Sequence, residues 1–382
     1  MIIAGGVYVE DCVTPRTTQL LGSAGRATVA LSKMRSDLEL HTYHPPELWE
    51  DVRVNFAPVC TKCQLYSSNS RVHFSYLFPL GRPLQTPYLD PSDERHFVTG
   101  EQAIIFGCVE GDFVVRANVV VADLQGSTSK GFRAAGSHAE KLAIVLNGRE
   151  VMSRTGKPTI TEAANELLEI EKAEVVVVKD GPNGSCVFTR TAYPAPVPAY
   201  SSKSLYKIGS GDIFSAVFAH FWMEGAAPVA AADLASRHTA AYVESPSLPL
   251  TKELPVQTAR EPKIVDQIIL VGGQNSIKDQ WFMELLSEAI SHLGKFDIRL
   301  VETNTLGHQL REASERNHSV SVLCIAGDKT EAHSMLMDPI ISMTDPVIFL
   351  DNSYEQAGIE VPKGRVFADL SQAIYELFWM PI

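Results

Sequence analysis

Two glycines and an acid, Gly209-Ser210-Gly211-Asp212, stand directly before a helical pattern. Apolar residues at 213, 214, 217, 218, 221 and 222 trace one wide face of that helix, so the glycines fall at its N-terminus. Backbone N–H groups there lack intrahelical partners, the dipole is positive, and glycine permits close approach of an anion. Asp212 at the mouth can cap the helix. Its carboxylate can equally be the base that takes a proton from a hydroxyl attacking a phosphate. Phosphoryl transfer and plain capping therefore compete for the same four residues.

Further groups of chemical interest lie upstream. The acids Glu10-Asp11 end an apolar run, and Gly22 and Gly25 precede a helical period. Asn147-Gly148-Arg149-Glu150 can cap a helix through Asn147 with Glu150 in its first turn, and Thr155-Gly156 follows. The apolar run Val175 to Val178 leads into Lys179-Asp180-Gly181-Pro182-Asn183-Gly184, whose glycines suit either a β-turn or a backbone that a ligand approaches. Asp123 ends another apolar run, where a cap or turn is as good a reading as a functional acid. Six cysteines are scattered at 12, 60, 63, 108, 186 and 324, as in a reduced intracellular chain. Cys60 and Cys63, with His41 and His44 upstream, supply the ligand types of a zinc site, but Tyr43-His44-Pro45-Pro46 lacks its tight turn chemistry. The plainer reading is a pair of structural thiols.

These residues need a scaffold, and 382 residues are enough for about two or three domains. Hydrophobic residues at 45% and charged residues at 20% exclude disorder and a small disulfide scaffold. No apolar run approaches the roughly 20 residues that span a bilayer, and the N-terminus has no signal pattern, so a cytoplasmic chain without membrane partners is expected. A net charge of −12 gives no attraction for nucleic acid. Residues 246–262 hold four prolines and no apolar period, a linker composition. Before it, 1–245 interleaves strand-like runs at 2–9, 113–122 and 174–179 with helical periods at 24–34, 160–171, 212–224 and 227–244. Within this α/β portion, 50–108 alternates at Val72, Phe74 and Tyr76 and is broken by Pro79, Pro83, Pro87 and Pro91. It is expected to form a small β excursion that acts as a lid or pairs two copies as a homodimer. After the linker, 263–382 alternates strands at 265–272, 297–302, 319–326, 346–350 and 364–367 with helices at 277–293, 304–316, 330–342 and 369–378. That pattern predicts a flavodoxin-like, doubly wound α/β domain.

In order and spacing, the motifs of residues 1–245 resemble the ribokinase-like (PfkB) carbohydrate and nucleoside kinase family. Gly209 to Asp212 is similar to its second signature, Gly22 to Ala27 to its glycine-rich first signature, and Asn147 to Glu150 to its N-x-x-E motif. The resemblance implies an ATP-dependent kinase acting on a sugar or nucleoside hydroxyl. Asp212 would be the general base, and the N–H groups of Gly209, Ser210, Gly211 and Asp212 the anion hole. Asn147 and Glu150 would position Mg²⁺ through water. Lys179, Gly181 and Gly184 would line the ATP site, and Glu10 or Asp11 would bind a substrate hydroxyl lying against Gly22 and Gly25. Asp123 lies where the family carries a site-facing acid.

Two departures bear on function. Tyr206-Lys207 replaces the family's Asp-Thr, so Lys207 would stand in for a monovalent cation or touch the phosphates. Arg26-Ala27-Thr28 replaces the usual asparagine of the first signature. Both changes also suit a kinase fold without turnover, serving as a nucleotide sensor or scaffold. The C-terminal pattern, from Ile268 to Val271 into Gly272-Gly273-Gln274-Asn275-Ser276, resembles nucleoside 2-deoxyribosyltransferase-like domains. The kinase fold would then be able to regulate N-glycosidic chemistry there. No catalytic residue carries over, and Asp328, Asp345 and Asp351 stand only near expected strand ends.

Overall fold

The computed structural model describes residues 1–89, 95–125, 131–254, 256–272, 276–327, 329–350 and 366–380. It separates into two units, Met1–Ser202 with Tyr206–Ala259, and Lys203–Leu205 with Arg260–Ile382. No helix among the described residues is long and apolar enough to cross a membrane.

The first unit opens with β1 (Ile2–Ala4), β2 (Val9–Cys12), β3 (Thr17–Leu20), α1 (Gly22–Leu31) and β4 (Glu39–His44). It continues through α2 (Trp49–Phe56), β5 (Lys62–Ser67), β6 (His73–Tyr76), β7 (Leu84–Thr86), β8 (Arg95–Phe106) and β9 (Asp112–Asp123). The remainder is β10 (His138–Asn147), α3 (Gly148–Thr155), α4 (Ile160–Ile170), β11 (Val175–Lys179), β12 (Ser185–Thr189), β13 (Ala195–Val197), α5 (Ser210–Met223) and α6 (Pro228–Glu244). Nine strands form the main sheet in the order β13-β12-β11-β10-β9-β8-β1-β4-β5. Its central strands are buried on both faces, so they read as continuous apolar runs, Val175 to Val178 being the clearest. α5 packs against α1, α6 and β9, which brings its N-terminus to the strand ends that carry Asp123 and Lys179.

The stretch 50–108 is not one excursion. β5 extends the main sheet beside β4, and β8 lies inside it between β1 and β9. Only β6 and β7 leave, and they join β2 and β3 in a separate four-stranded sheet ordered β3-β2-β6-β7. Alternation at Val72, Phe74 and Tyr76 marks a half-buried strand, but it carries no information about which sheet that strand enters. Pro91 lies outside the described residues.

The second unit is built of β14 (Gln267–Val271), α7 (Ile277–Ser291), β15 (Asp297–Val301), α8 (Leu306–Glu315), β16 (Val320–Ala326), α9 (Lys329–Met337) and α10 (Pro339–Ser342). It ends with β17 (Val347–Leu350), β18 (Val366–Phe367) and α11 (Leu370–Glu376). The sheet is wholly parallel in the order β15-β14-β16-β17-β18, the 2-1-3-4-5 winding of flavodoxin-like folds. The helix expected at 330–342 is two helices. Pro339 cannot continue α9, and Asp338 caps the new start by accepting from the N–H groups of Ile340 and Ile341 at 2.8 and 3.0 Å.

Between β1 and the small sheet, Tyr8 turns inward and donates to Glu110 Oε2 at 2.9 Å, while the Val109 N–H donates to the Tyr8 hydroxyl at 3.1 Å. Burial pushes the Glu110 carboxyl from the ordinary 4.5 up to about 7. A raised native value means that the folded state holds the proton more tightly, so stability from this group is lost as pH rises from about 4.5 through about 7. Chemical denaturation of Glu110→Gln should remove that decline. An unchanged pH slope would mean that Glu110 does not titrate in this window.

Candidate active site

The start of α5 is shaped by Gly209, which takes the left-handed conformation with φ 75°. A Cβ there would lie 1.7 Å from Arg26 Nε, so glycine is required both by the backbone and by the guanidinium packed on it. The Ser210 N–H donates to the Lys207 carbonyl at 3.1 Å and closes the entry turn. Ser210 therefore drops out of the expected anion hole. The N–H groups of Gly211 and Asp212 lie in the first turn, where no intrahelical carbonyl can reach them. The Lys179 ammonium approaches the same place, 3.4 Å from where a Gly211 Cβ would be.

Arg26, from α1, is fully buried and organises the acids around this helix start. Its Nη2 bonds Glu10 Oε2, its Nε lies 3.4 Å from Asp212 Oδ2, and its Nη1 donates to the Tyr242 hydroxyl at 3.3 Å. Glu10 Oε2 also accepts from the Gly22 N–H at 3.3 Å. Asp212 Oδ1 accepts from Gln125 Nε2 at 2.8 Å, and Gln125 Oε1 accepts from Ser23 Oγ at 3.0 Å. Burial pushes the Asp212 carboxyl up to about 6, although Arg26 pulls the other way. For Arg26 burial favours the neutral form, but Glu10, Tyr242 and Asp212 together override it and hold the guanidinium above its ordinary range.

A second ion pair lies beside the first. Lys179 Nζ donates to Asp123 Oδ2 at 2.8 Å and to Ser215 Oγ at 3.4 Å, and Ser215 Oγ donates to the same Asp123 oxygen at 2.5 Å. Burial lowers the lysine's basicity, yet Asp123, Glu150 and Asp212 together outweigh it and leave the ammonium above its ordinary value. The other oxygen of the wholly buried Asp123 has no hydrogen-bond partner among the described residues.

Several sequence expectations change. Strand alternation sends the two acids to different partners: Glu10 faces Arg26, whereas Asp11 pairs with His73 and Thr18. Packing alone requires glycine at 22 and 25. A Cβ on Gly22 would meet the Gly6 carbonyl and Tyr8 backbone at 2.7 Å, and one on Gly25 the Phe56 ring at 2.7 Å. Gly181 and Gly184 form a turn, and a Gly184 Cβ would strike the Val197 carbonyl at 2.1 Å, so that glycine serves strand packing. Asn147 and Glu150 form a reciprocal capping box on α3, with bonds of 2.9 and 2.8 Å. Lys207 is half-buried in the turn before α5, and its neighbour Tyr206 bonds Thr17 of β3 at 3.1 Å. Cys60 and Cys63 are free thiols. No three His, Cys, Asp or Glu groups among the described residues gather closely enough to hold a metal directly. The lone oxygen of Asp123 and the Glu150 carboxylate suit a hydrated Mg²⁺ better than a protein cage.

Gln125, Ser215 and Tyr242 were not anticipated. Ser215 lies three residues after Asp212, a helical neighbour spacing that offered a signal. Gln125 and Tyr242 meet Asp212 and Arg26 only through the fold. In unit two, Asp345 stands just before β17 with φ 49°, Ser276 caps α7, and Gly273, Gln274, Asn275, Asp328 and Asp351 lie outside the described residues.

The two glycines of the helix start should behave differently on substitution. Gly209→Ala forces both a left-handed alanine and displacement of Arg26, so a loss of about 2–5 kcal/mol in denaturant unfolding is expected. Gly211→Ala meets Lys179 at ordinary contact distance and should leave stability within about 1 kcal/mol. Equal losses would mean that Arg26 does not occupy this space.

Residues 130–252 match the sequence profile of the pfkB family carbohydrate kinases. A search of curated proteins finds no significant match. Among solved structures, a protein assigned as a ribokinase from Agrobacterium tumefaciens aligns with TM-score 0.50 at 13% identity, over 63% of this chain and 90% of that one. The ribokinase of Thermotoga maritima aligns with TM-score 0.48 at 14% identity, over 65% of this chain and 96% of that one. Arabidopsis thaliana ribokinase, solved with ribose and ATP, aligns with TM-score 0.48 at 15% identity, over 65% and 95%. The first unit therefore has the ribokinase-like fold, and within it residues 130–252 carry the sequence pattern of the pfkB family carbohydrate kinases.

Proposed function

We propose that the first unit transfers the γ-phosphoryl group of ATP to a hydroxyl of a sugar or nucleoside. The observation that carries this reading is a buried carboxylate, Asp212, on the first turn of a glycine-led helix with the Lys179 ammonium beside the same turn. The acceptor hydroxyl gives its proton to Asp212 as its oxygen bonds to the γ-phosphorus, and the bond from that phosphorus to the β–γ bridging oxygen breaks, releasing ADP. N–H groups of Gly211 and Asp212 face the charge that develops on the transferred group, and Lys179 adds a cation there. Mg²⁺, when bound, would neutralise phosphate charge, and Asp123 and Glu150 are the residues that would hold it through water. Gln125 keeps the Asp212 carboxylate oriented.

A sensor without turnover remains the second reading, favoured by one observation: Arg26 already engages both acids that an acceptor would need. For the second unit, the 2-1-3-4-5 winding supports ligand binding between the ends of β14 and β16, where the strand order reverses.

Turnover of a phosphorylated acceptor, read by mass spectrometry, separates the two. Because the base must be ionised, kcat should rise with pH and level off above the Asp212 value of about 6. Asp212→Asn should still bind ATP while turnover falls by about 10² or more. Normal turnover in that variant would reduce Asp212 to a helix cap. Tight ATP binding with no turnover on any acceptor would leave the sensor reading in place.

A further inference from the structure

Both ion pairs of the site draw a partner from one strand end. β9 finishes at Asp123, which accepts from Lys179, and two residues later Gln125 donates to Asp212. The two residues are not held alike. Asp123 is the last ladder residue of β9, in register with Phe106, and its carbonyl accepts from the Gly107 N–H at 3.2 Å. Gln125 lies beyond the ladder. Its N–H turns back to the same Asp123 carbonyl at 2.9 Å, which makes Leu124 the middle of a three-residue turn. The Leu124 carbonyl accepts from Arg154 Nη2, which reaches it from the last turn of α3.

A plainer role is open to Arg154. A cation four residues after Glu150, near the C-terminal end of a helix, suits both the i,i+4 spacing and the helix dipole. Its placement goes beyond that. The side chain is half-buried, and burial holds its guanidinium below the ordinary range despite the nearby acids Glu150, Glu171 and Asp123. A cation serving the helix alone would stay in water, whereas this one crosses to a carbonyl 30 residues away in sequence. α3 is itself secured at both ends, by the Asn147–Glu150 box and by Gly156 in the left-handed conformation. A charge-assisted bond from so fixed a helix is a strong restraint on a turn outside the ladder. We propose that Arg154 is a positioning residue for phosphoryl transfer: through the Leu124 carbonyl it moors the turn that presents Gln125 to Asp212. The inference rests on the phosphoryl-transfer reading and adds to it a residue that acts through Gln125.

The test compares Arg154→Met, Gln125→Leu and the double variant, each checked for folding by its thermal transition. Amide hydrogen exchange comes first, because it needs no turnover. In Arg154→Met, protection at 123–125 should fall while that of α5 and β10 is kept. Steady-state kinetics follow, with ATP and a panel of ribose, glucose, fructose and adenosine as acceptors. Arg154→Met should lower kcat by about tenfold and leave both KM values within about twofold. The Gln125 amide favours the charged form of Asp212, so displacing it should move the rise of kcat to a pH above about 6. Arg26, Glu10, Asp123 and Lys179, which share in setting that value, are unchanged by the substitution. The double variant should lose little more than Gln125→Leu alone. Additive losses would mean that Arg154 acts by its charge, and would overturn the inference. So would unchanged protection at 123–125 in Arg154→Met. Should Arg154→Met not fold, Arg154→Lys keeps the charge but ends one bond short of the guanidinium nitrogens. It should show the same changes to a lesser degree, and unaltered exchange with full turnover in it would overturn the mooring. Turnover of no acceptor by the unmodified protein, with protection still lost in Arg154→Met, would instead overturn the kinase reading and leave the mooring standing.

Discussion

A guanidinium cannot be buried without counter-charge, and Arg26 is buried completely. Its counter-ions come from two distant parts of the chain: Glu10 from the small sheet and Asp212 from the start of α5. Removing Arg26 leaves two buried carboxylates without their cation, which typically costs about 3–5 kcal/mol. The ion network therefore ties β2, α1 and α5 into one arrangement. Other features follow from it. Gly209 must lack a side chain because the guanidinium lies on its backbone, and the Gly22 N–H fixes the carboxylate that holds Arg26. Tyr242 completes the enclosure from α6 and donates to the Ile208 carbonyl just before the glycine turn.

In the proposed reaction, the same network would let a carboxylate work as a base in a closed site. Burial raises Asp212 to about 6, near the pH at which a base is both ionised and able to hold a proton. Arg26 and Lys179 lower it and the neighbouring acids Glu10 and Asp123 raise it. The proposed chemistry and the stability of the site thus rest on one group of charges.

Much of the scaffold was legible in the sequence because burial writes itself into periodicity. The doubly covered strand at 175–179, the apolar face of α5 and the regular alternation of the second unit all appear at or within a few residues of their expected places. Partner choice was not legible. The pattern at 72–76 marks a strand but not the sheet it joins, and the pattern at 330–342 hid the break that Pro339 makes. At the site, the glycine-led helix start and Asp212 could be read directly, because that chemistry is local. Asn147 and Glu150 fit a capping box and a metal-positioning motif equally well by spacing; the geometry shows the cap, which is compatible with either role. Arg26 stood out only as a departure from a pattern. Its position between Glu10 and Asp212 depends on contacts spanning 16 and 186 residues, which no local signal encodes.

The most direct test is a double-mutant cycle in denaturant unfolding between Arg26→Gln and Glu10→Gln. Arg26→Gln should destabilise strongly by leaving two buried carboxylates without their cation, Glu10→Gln should destabilise by removing the nearer of the two counter-ions, and the double change should cost less than the two together. The expected coupling is about 1–3 kcal/mol. Additivity within about 0.5 kcal/mol would contradict the claim that a buried Arg26–Glu10 pair holds this site together.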